Sequence, residues 1–158
     1  PTRNRPDWLR HALDSVLSQS YPLMEVIVIN DASEDSHAYD GVEALLDPRI
    51  RYIRNEHTLG PSGARNAGIY LARGELVAFM DDDDEWLPEK IEKQVREFIR
   101  DPDVGAVYCP CKWRDLDTGA VKFIAESGRV AERPTLFMEK SNAPKPDESR
   151  TPRLLHRR

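Results

Sequence analysis

Residues 76–84 read LVAFMDDDD, a short apolar run followed directly by four aspartates. The apolar run is typical of a buried β-strand, so the carboxylates are expected at its carboxyl end, where open α/β sheets bind ligands. Two unit charges about 4 Å apart repel by roughly 1 kcal/mol in water and about 4 kcal/mol at an effective dielectric near 20. Such crowding predicts a bound cation, and hard oxygen ligands suit Mg²⁺, Mn²⁺ or Ca²⁺ rather than zinc. A solvated acidic turn is the alternative.

Helix and strand patterns alternate on both sides of this stretch. Apolar spacing and breaker residues predict helices at 6–20, 33–46, 62–73 and 87–99, and strands at 25–30, 50–54, 76–80 and 104–108. A residue within Ser33 to Ser36 is expected to cap the second helix, and Ser62 is expected to cap the third. Alternation of this kind predicts an α/β fold with a mostly parallel sheet covered by helices. Past residue 113 the pattern weakens, and a hairpin with its turn near Thr118 is predicted at 116–123.

The composition excludes several classes of protein. The chain has 158 residues, of which 39% are hydrophobic and 32% charged, as in ordinary soluble domains. Its net charge of -5 argues against nucleic acid as a partner, because phosphate binding needs a basic face. No signal peptide or apolar stretch of about 18 residues is present, so a cytoplasmic location without a transmembrane segment is expected. Cys109 and Cys111 flank Pro110 and are interpreted as reduced structural residues.

Several short motifs occur in a characteristic order along the first two thirds of the chain. They are Pro1-Thr2-x-Asn4, Ser15-x-x-x-Gln19-x-x-Pro22, Glu25 to Asn30 followed by Asp31-Ala32-Ser33, Gly63-Ala64-Arg65-Asn66-x-Gly68, Ala72-x-Gly74-Glu75, and Asp81 to Asp84 with Trp86 and Pro88. Over about Pro1 to Tyr108, this order and spacing resemble the family 2 glycosyltransferases. The resemblance implies a GT-A (Rossmann-like) fold and a transferase that moves a sugar, with inversion, from a nucleotide-diphosphate sugar to an acceptor hydroxyl.

The resemblance also implies which residues contact the nucleotide-sugar: Pro1, Thr2, Arg3, Asn4, Asp31, Arg65 and Asp82. A carboxylate only accepts hydrogen bonds, so Asp31 suits the N3–H of uracil or thymine, and an Asx-turn that caps the next helix is the alternative. Arg65 is expected at a helix start, where it would contact the diphosphate. An ion pair between Arg65 and the acidic loop is the alternative. The family usually has an aromatic residue where this chain has Arg3, whose guanidinium would stack on the base or pair with phosphate.

Within the acidic run, the family's Asp-x-Asp pattern falls on Asp81 and Asp83. The resemblance implies that Asp83 and Asp81 form the metal site for Mn²⁺ or Mg²⁺, with Asp83 as the direct ligand and Asp81 as a brace for the loop. Asp82 would face the ribose or the metal's waters, and Asp84 would touch the sugar. Because four aspartates are consecutive, the assignment permits a slip of one residue.

Two parts of the family pattern have no counterpart in the chain. Relatives have an apolar strand directly before Pro1-Thr2, so the GT-A sheet is expected to lack its first strand and to have a gap between strands 25–30 and 76–80. The acceptor-binding C-terminal part is also expected to be missing, which makes the chain a truncated form whose activity in isolation is uncertain. The general base is expected outside this chain, since nothing singles out one of the downstream carboxylates Asp115, Asp117, Glu126 and Glu132.

The expected organisation has three parts. Residues 1–113 form the nucleotide-sugar-binding GT-A core, 114–138 a partial hairpin on the acceptor side, and 139–158 a polar, basic tail predicted to be disordered. The donor favoured is a UDP-sugar, and the acceptor a sugar or a lipid-linked group at the inner face of the membrane. The arginines of 150–158 suggest peripheral membrane contact, with a solvated, frayed terminus as the alternative.

Two other functions remain compatible with the sequence. One is a non-catalytic module that binds a nucleotide-sugar but transfers nothing. The other is a GT-A-like nucleotidyltransferase, which usually carries a glycine-rich basic loop after its first strand. The segment Pro1 to Arg5 contains no glycine, which counts against the nucleotidyltransferase.

Overall fold

The chain folds into alternating helices and strands. A computed structural model describes residues 1–22, 24–35, 37–43, 47–115, 118–124, 128–130 and 153–155. The helices are α1 (Pro6–Leu17), α2 (Asp40–Glu43), α3 (Gly60–Leu71) and α4 (Lys90–Arg100), with a 3₁₀ turn at His37–Tyr39. The strands are β1 (Val26–Asn30), β2 (Ile50–Arg54), β3 (Leu76–Ala78), β4 (Ala106–Tyr108), β5 (Cys111–Arg114), β6 (Val121–Ile124), β7 (Gly128–Val130) and β8 (Arg153–Leu155). Within these ranges no helix combines the length and apolarity that crossing a bilayer requires.

The strands form three groups. β1 and β2 pair in parallel, with Val26 opposite Ile50, which makes β2 the edge strand that its alternating pattern predicts. β8 lies between β3 and β4 and is parallel to both, while β7 is antiparallel to β4. β5 and β6 form an antiparallel hairpin. The predicted α/β architecture with parallel strands and flanking helices is therefore confirmed.

Two apolar clusters hold the helices on the strands. One contains Leu9, Leu13, Val28 and Tyr39, and the other contains Val16, Trp86, Ile91, Val95, Phe98, Val104 and Val107. α1 contributes to both clusters because its buried face extends from Leu9 to Val16. Each fully buried side chain of this size contributes about 1.5–3 kcal/mol relative to exposure. α1 is thus the element that fixes the two clusters relative to each other.

A groove separates β1 from β3. In the described part of the chain these two strands are not hydrogen-bonded to each other. The groove has a volume of about 630 Å³ and is lined by β1, α3, β3 and α4. The gap predicted between the two strands is therefore present. It also explains why residues 76–80 are half-buried and not buried as predicted, and β3 ends at Ala78 instead of Met80.

The cap predicted within Ser33 to Ser36 is present at Asp35, whereas the cap predicted at Ser62 is wrong. Asp35 precedes the 3₁₀ turn, and its Oδ1 accepts hydrogen bonds from the backbone N–H groups of His37 (2.9 Å) and Ala38 (3.3 Å). The Ser33 hydroxyl donates to the Tyr39 hydroxyl and accepts from Asn4 N. Ser62 lies inside the first turn of α3, which begins at Gly60. The second predicted helix is represented by the 3₁₀ turn and α2, and residues 44–46 lie outside the described residues.

The C-terminal third partly agrees with the prediction. The hairpin is present, although its strands begin at Cys111 and end at Ile124, and Gly119 in the turn has a φ of 71°. The prediction of disorder for 139–158 is wrong for Arg153–Leu155, because these residues pair with β3 and β4. The rest of that tail lies outside the described residues.

Candidate functional site

Thr2 joins the end of β1 to the acidic run. Its backbone N–H donates to Ile29 O (2.8 Å) and its carbonyl accepts from Asp31 N (2.9 Å), which extends the sheet by one parallel bridge. The Thr2 hydroxyl donates to Asp82 Oδ2 at 2.8 Å. Both residues are buried, at 3% and 8% exposure. The carboxyl end of β1 and the loop after β3 therefore meet at this one contact.

The aspartates of the acidic run have different partners. The carboxylate of Asp81 accepts from Arg65 Nη2 at 2.5 Å. Asp82 Oδ1 and Asp83 Oδ2 both accept from Arg5 Nη1, at 3.3 and 3.0 Å. The side chain of Asp82 is only 9% exposed, whereas those of Asp81 and Asp83 are 48% and 51% exposed. The repulsion within the run is thus offset by two guanidinium groups.

Tyr39 fixes the segment that carries these contacts. Its side chain is 1% exposed, and its hydroxyl accepts from Arg5 N (2.9 Å) and from Ser33 Oγ (3.1 Å). Ser33 Oγ in turn accepts from Asn4 N at 3.0 Å. Sequence reasoning placed Tyr39 on an apolar helix face and did not select Arg5. The signal that was available is the phenol group, because a buried tyrosine usually hydrogen-bonds through its hydroxyl.

Asp31 is buried and fully occupied by protein donors. Oδ1 accepts from Asn55 Nδ2 and Leu59 N, and Oδ2 from Thr58 Oγ1 and Gly60 N, all at 2.8–2.9 Å. Burial by itself raises the pKa of this carboxyl, but the hydrogen bonds outweigh it, so the pKa lies below its ordinary value of 3.8. Asp31 therefore caps α3 and not the next helix along the chain.

The other predicted nucleotide contacts surround this edge. Asn4 has a positive φ of 56°, and its Oδ1 accepts from Glu34 N at 2.9 Å, so it fastens the loop after β1. Arg3 is exposed, and Pro1 is half-buried at the mouth of the groove. The structure thus places Pro1, Thr2 and Asn4 on one segment beside the acidic run, while the contacts assigned to them stay predictions.

Two buried polar residues, Ser15 in α1 and Gln19 just after its C-terminal end, hold the loop that follows the acidic run. Ser15 Oγ accepts from Trp86 N at 3.1 Å. Gln19 Oε1 accepts from Ile91 N (3.1 Å), and its Nε2 donates to Leu87 O (2.8 Å). These contacts give the motif residues Ser15 and Gln19 a structural role.

The metal-binding capacity of the site is limited on its own. Across the residues that the structure describes, no three His, Cys, Asp or Glu side chains are grouped so as to hold a metal ion. Asp81 and Asp83 offer hard oxygen donors that suit Mn²⁺ or Mg²⁺, but each is paired with an arginine. A cation held here would need further oxygens from a ligand, and the assignment to Asp83 and Asp81 stays a prediction.

Of the four downstream carboxylates, the structure describes Asp115 alone. Asp115 Oδ1 accepts from Thr118 N at 2.8 Å, which places it in the turn of the hairpin. Asp117, Glu126 and Glu132 lie outside the described residues.

Comparison with known proteins identifies the family. The sequence profile described as "Glycosyl transferase family 2" matches residues 1–150. The Escherichia coli UDP-Glc:alpha-D-GlcNAc-diphosphoundecaprenol beta-1,3-glucosyltransferase WfaP is 37% identical over 92 residues, which are 58% of this chain and 36% of WfaP.

Solved structures resemble the fold. S. aureus TarS 1–349 in complex with UDP superposes with a TM-score of 0.61 at 26% identity, over 69% of this chain and 33% of that one. The Pyrobaculum calidifontis mannosyltransferase PcManGT in complex with GDP-Man and Mn²⁺ has the same TM-score and identity, over 72% and 34%. The chain spans about a third of the length of these proteins, and its fold is the GT-A fold. It belongs to glycosyl transferase family 2.

Proposed function

We propose that the protein binds a nucleotide-diphosphate sugar, with a UDP-sugar favoured, and supplies the donor side of an inverting, metal-dependent transfer to an acceptor hydroxyl. The relative WfaP is named for UDP-Glc and a lipid diphosphate acceptor, and TarS is bound to UDP. These names support a sugar or lipid-linked acceptor here, and we propose that the protein meets it at the cytoplasmic face of the membrane.

One observation supports the proposal most directly: the Thr2–Asp82 contact, which joins the end of β1 to the acidic run. It brings half-exposed carboxylates and the Arg65 guanidinium to the same sheet edge. Carboxylates suit a divalent cation and guanidinium suits phosphate oxygens, so a metal diphosphate is the ligand whose charges fit both.

In the proposed site Asp83 and Asp81 would hold Mn²⁺ or Mg²⁺. When bound, the ion would neutralise charge on the departing nucleoside diphosphate. Asp82 is buried and bound to Thr2, so it would orient the loop and face the ribose or the metal's waters. Asp84 would face the sugar. The PcManGT complex, which contains GDP-Man and Mn²⁺, supports metal use without choosing between manganese and magnesium.

Asp31 would recognise the nucleobase by accepting a hydrogen bond from it in place of one that it now accepts from a protein side chain. The Leu59 and Gly60 donors are backbone groups at the start of α3 and would stay in place. The side chains of Asn55 and Thr58 can rotate, so either can give way to the N3–H of uracil. Pro1 and Thr2 would lie under the nucleotide, with Arg3 and Asn4 beside it.

Arg65 would contact the diphosphate after leaving Asp81. Its guanidinium is 33% exposed and can form two parallel hydrogen bonds to phosphate oxygens. Transfer would follow as a single displacement at the anomeric carbon, which inverts its configuration. A carboxylate general base would take the proton of the acceptor hydroxyl, and we assign that role to no residue of this chain.

Calorimetry tests the proposal. UDP, dTDP, GDP and CTP are titrated with and without Mn²⁺ into the wild type, Asp83→Asn and the exposed α1 variant Asp14→Asn. We expect UDP to bind in a manganese-dependent way that Asp83→Asn abolishes and Asp14→Asn preserves. Equal UDP affinity with and without metal would refute the metal site. Preference for a triphosphate would favour a nucleotidyltransferase.

A further inference from the structure

Arg5 occupies the space between two neighbouring carboxylates of the acidic run. Its Nη1 lies 3.3 Å from Asp82 Oδ1 and 3.0 Å from Asp83 Oδ2. The two carboxylates belong to consecutive residues and repel each other unless a cation lies between them. The Arg5 guanidinium therefore neutralises Asp83, one of the two carboxylates proposed to hold the ion, together with its buried neighbour Asp82.

The backbone of Arg5 is held independently of its side chain. Its N–H donates to the Tyr39 hydroxyl at 2.9 Å, and its carbonyl accepts from Leu9 N at 3.0 Å in the first turn of α1. The side chain can therefore leave the carboxylates while the segment keeps its position. Truncation of the side chain likewise leaves both backbone contacts in place.

The contact between Arg5 and Asp83 is easily broken. Both side chains are half exposed, at 52% and 51%, and ion pairs of this kind contribute little in water. Asp82 keeps a second partner, the Thr2 hydroxyl at 2.8 Å, after Arg5 has left. The acidic run thus remains ordered when the guanidinium moves away.

We propose that Arg5 holds the place of the divalent cation in the ligand-free protein, and that its guanidinium turns to the diphosphate when metal and nucleotide are bound. This inference rests on the proposed function. A guanidinium and a divalent ion repel each other at contact distance, so Arg5 must leave Asp83 when Asp83 and Asp81 hold the ion. The nearest new anion is the diphosphate, whose oxygens match the planar fork of arginine.

Two titrations test the inference on the wild type, Arg5→Ala and Arg5→Lys. Affinity for Mn²⁺ alone is measured by water-proton relaxation, and affinity for UDP at saturating Mn²⁺ by calorimetry. Arg96→Ala is the matched control, since Arg96 forms its exposed ion pair with Glu92 within α4. Circular dichroism and thermal unfolding establish that each variant is folded.

We expect Arg5→Ala to bind Mn²⁺ alone about two- to fivefold more tightly, because the competing cation is gone. The same variant should bind UDP with Mn²⁺ about tenfold more weakly, because a charged hydrogen-bond donor to phosphate is lost. Arg5→Lys should retain near wild-type Mn²⁺ affinity and show an intermediate loss for UDP. Arg96→Ala should change neither affinity.

The outcomes separate this inference from the proposed function. If the wild type binds neither Mn²⁺ nor UDP, the proposed function is wrong. If the wild type binds both and Arg5→Ala has unchanged or weaker Mn²⁺ affinity, Arg5 does not hold the metal's place. If Mn²⁺ binding tightens while UDP affinity stays at the wild-type value, the movement of Arg5 to the diphosphate is refuted.

Discussion

At the scale of single residues, the hydroxyl of Thr2 satisfies a buried carboxylate. Thr2→Val keeps the shape of the side chain but leaves Asp82 Oδ2 without its donor at 2.8 Å. An unsatisfied buried polar group costs about 1–3 kcal/mol, so we expect the free energy of unfolding to fall by that amount in urea titrations.

Thr118→Val is the control for this change. The Thr118 hydroxyl accepts only a 3.3 Å hydrogen bond from Ala120 N in an exposed turn. The expected change is within about 0.5 kcal/mol. If the two substitutions lower the unfolding free energy equally, the Thr2–Asp82 hydrogen bond contributes no more to stability than an exposed one.

Asp31 makes stability depend on pH. Its pKa is lowered in the folded protein, so the charged form contributes stability that is present above its ordinary pKa of 3.8 and is lost as the pH falls below about 4. Asp31→Asn cannot be protonated in this range. We therefore expect the difference in unfolding free energy between pH 7 and pH 3 to be smaller in the variant, as measured by urea titration at both values. An unchanged difference would contradict the role of this carboxylate.

Residue roles were only partly predictable. Recognisable motifs contain the four aspartates, Arg65 and Thr2, so these residues could be selected from the sequence. The structure places them together. The ion pair of Arg65 with Asp81, weighed as the alternative to a phosphate contact, is present in the ligand-free structure. Arg5 and Tyr39 were missed because their partners are distant in sequence, at separations of 78 and 34 residues.

At the scale of elements, the segment that ends α1 positions the loop after the acidic run through Gln19, which follows the last turn of the helix. Gln19→Ala removes the acceptor of Ile91 N and the donor to Leu87 O. We expect a loss of about 2 kcal/mol in stability and a weaker affinity for UDP with Mn²⁺, measured by urea titration and calorimetry.

Gln94→Ala is the matched control, because Gln94 is also a buried glutamine but bonds to the Lys90 side chain and to Val107 O and not to the backbone of the loop. It should lower stability and leave UDP affinity unchanged. If both variants lose UDP affinity to the same extent, the loss in Gln19→Ala results from lower stability alone.

The start of α3 depends on a glycine with positive φ. Gly60 has a φ of 72°, and its N–H donates to Asp31. An added Cβ would meet nothing within 4 Å, so Gly60→Ala carries only backbone strain of about 1–2 kcal/mol. We expect this strain to move the N–H and weaken UDP binding.

Gly119→Ala tests the same strain elsewhere, since Gly119 has a φ of 71° and equally open surroundings in the hairpin turn. It should lower the unfolding free energy by a similar amount and leave UDP affinity unchanged. If Gly60→Ala binds UDP as tightly as the wild type, the turn at Gly60 does not contribute to nucleotide binding.

Elements were predictable where the local pattern and the tertiary environment agree. α1 and β2 match because their apolar spacing corresponds to the faces they bury. The β3 prediction was two residues too long, since Phe79 and Met80 are apolar but lie beside the groove instead of inside a sheet. Leu87 and Ile99 fit the helical spacing of α4 but are 72% and 75% exposed, because α4 begins after Leu87 and its packed face ends at Phe98.

At the scale of the whole molecule, the proposed ligand would contact both the end of β1 and the loop after β3. A ligand at about 100 times its Kd raises the unfolding free energy by about 2.7 kcal/mol. With UDP and Mn²⁺ we expect slower hydrogen exchange both at the end of β1 and in the loop after β3, with no change in the hairpin of β5 and β6. Protection on one side only would place the ligand away from the Thr2–Asp82 junction.

The family was predictable from the whole chain better than from any single part. Each motif is short, but their joint order over residues 1–108 identifies the family that the profile match establishes. The insertion of β8 between β3 and β4 was not predictable, because a three-residue strand in a basic, proline-rich tail carries no period of its own.

The Thr2–Asp82 junction also has a consequence for how the protein is made. The two residues are 80 positions apart, and Ser15 and Trp86 are 71 apart. Loops of this length close slowly, because chain entropy opposes the meeting of their ends. During translation the amino-terminal segment leaves the ribosome long before its partners are synthesised. The nascent chain can therefore form the β1–β2 pair early, but it acquires a ligand-binding edge only after the acidic run has emerged.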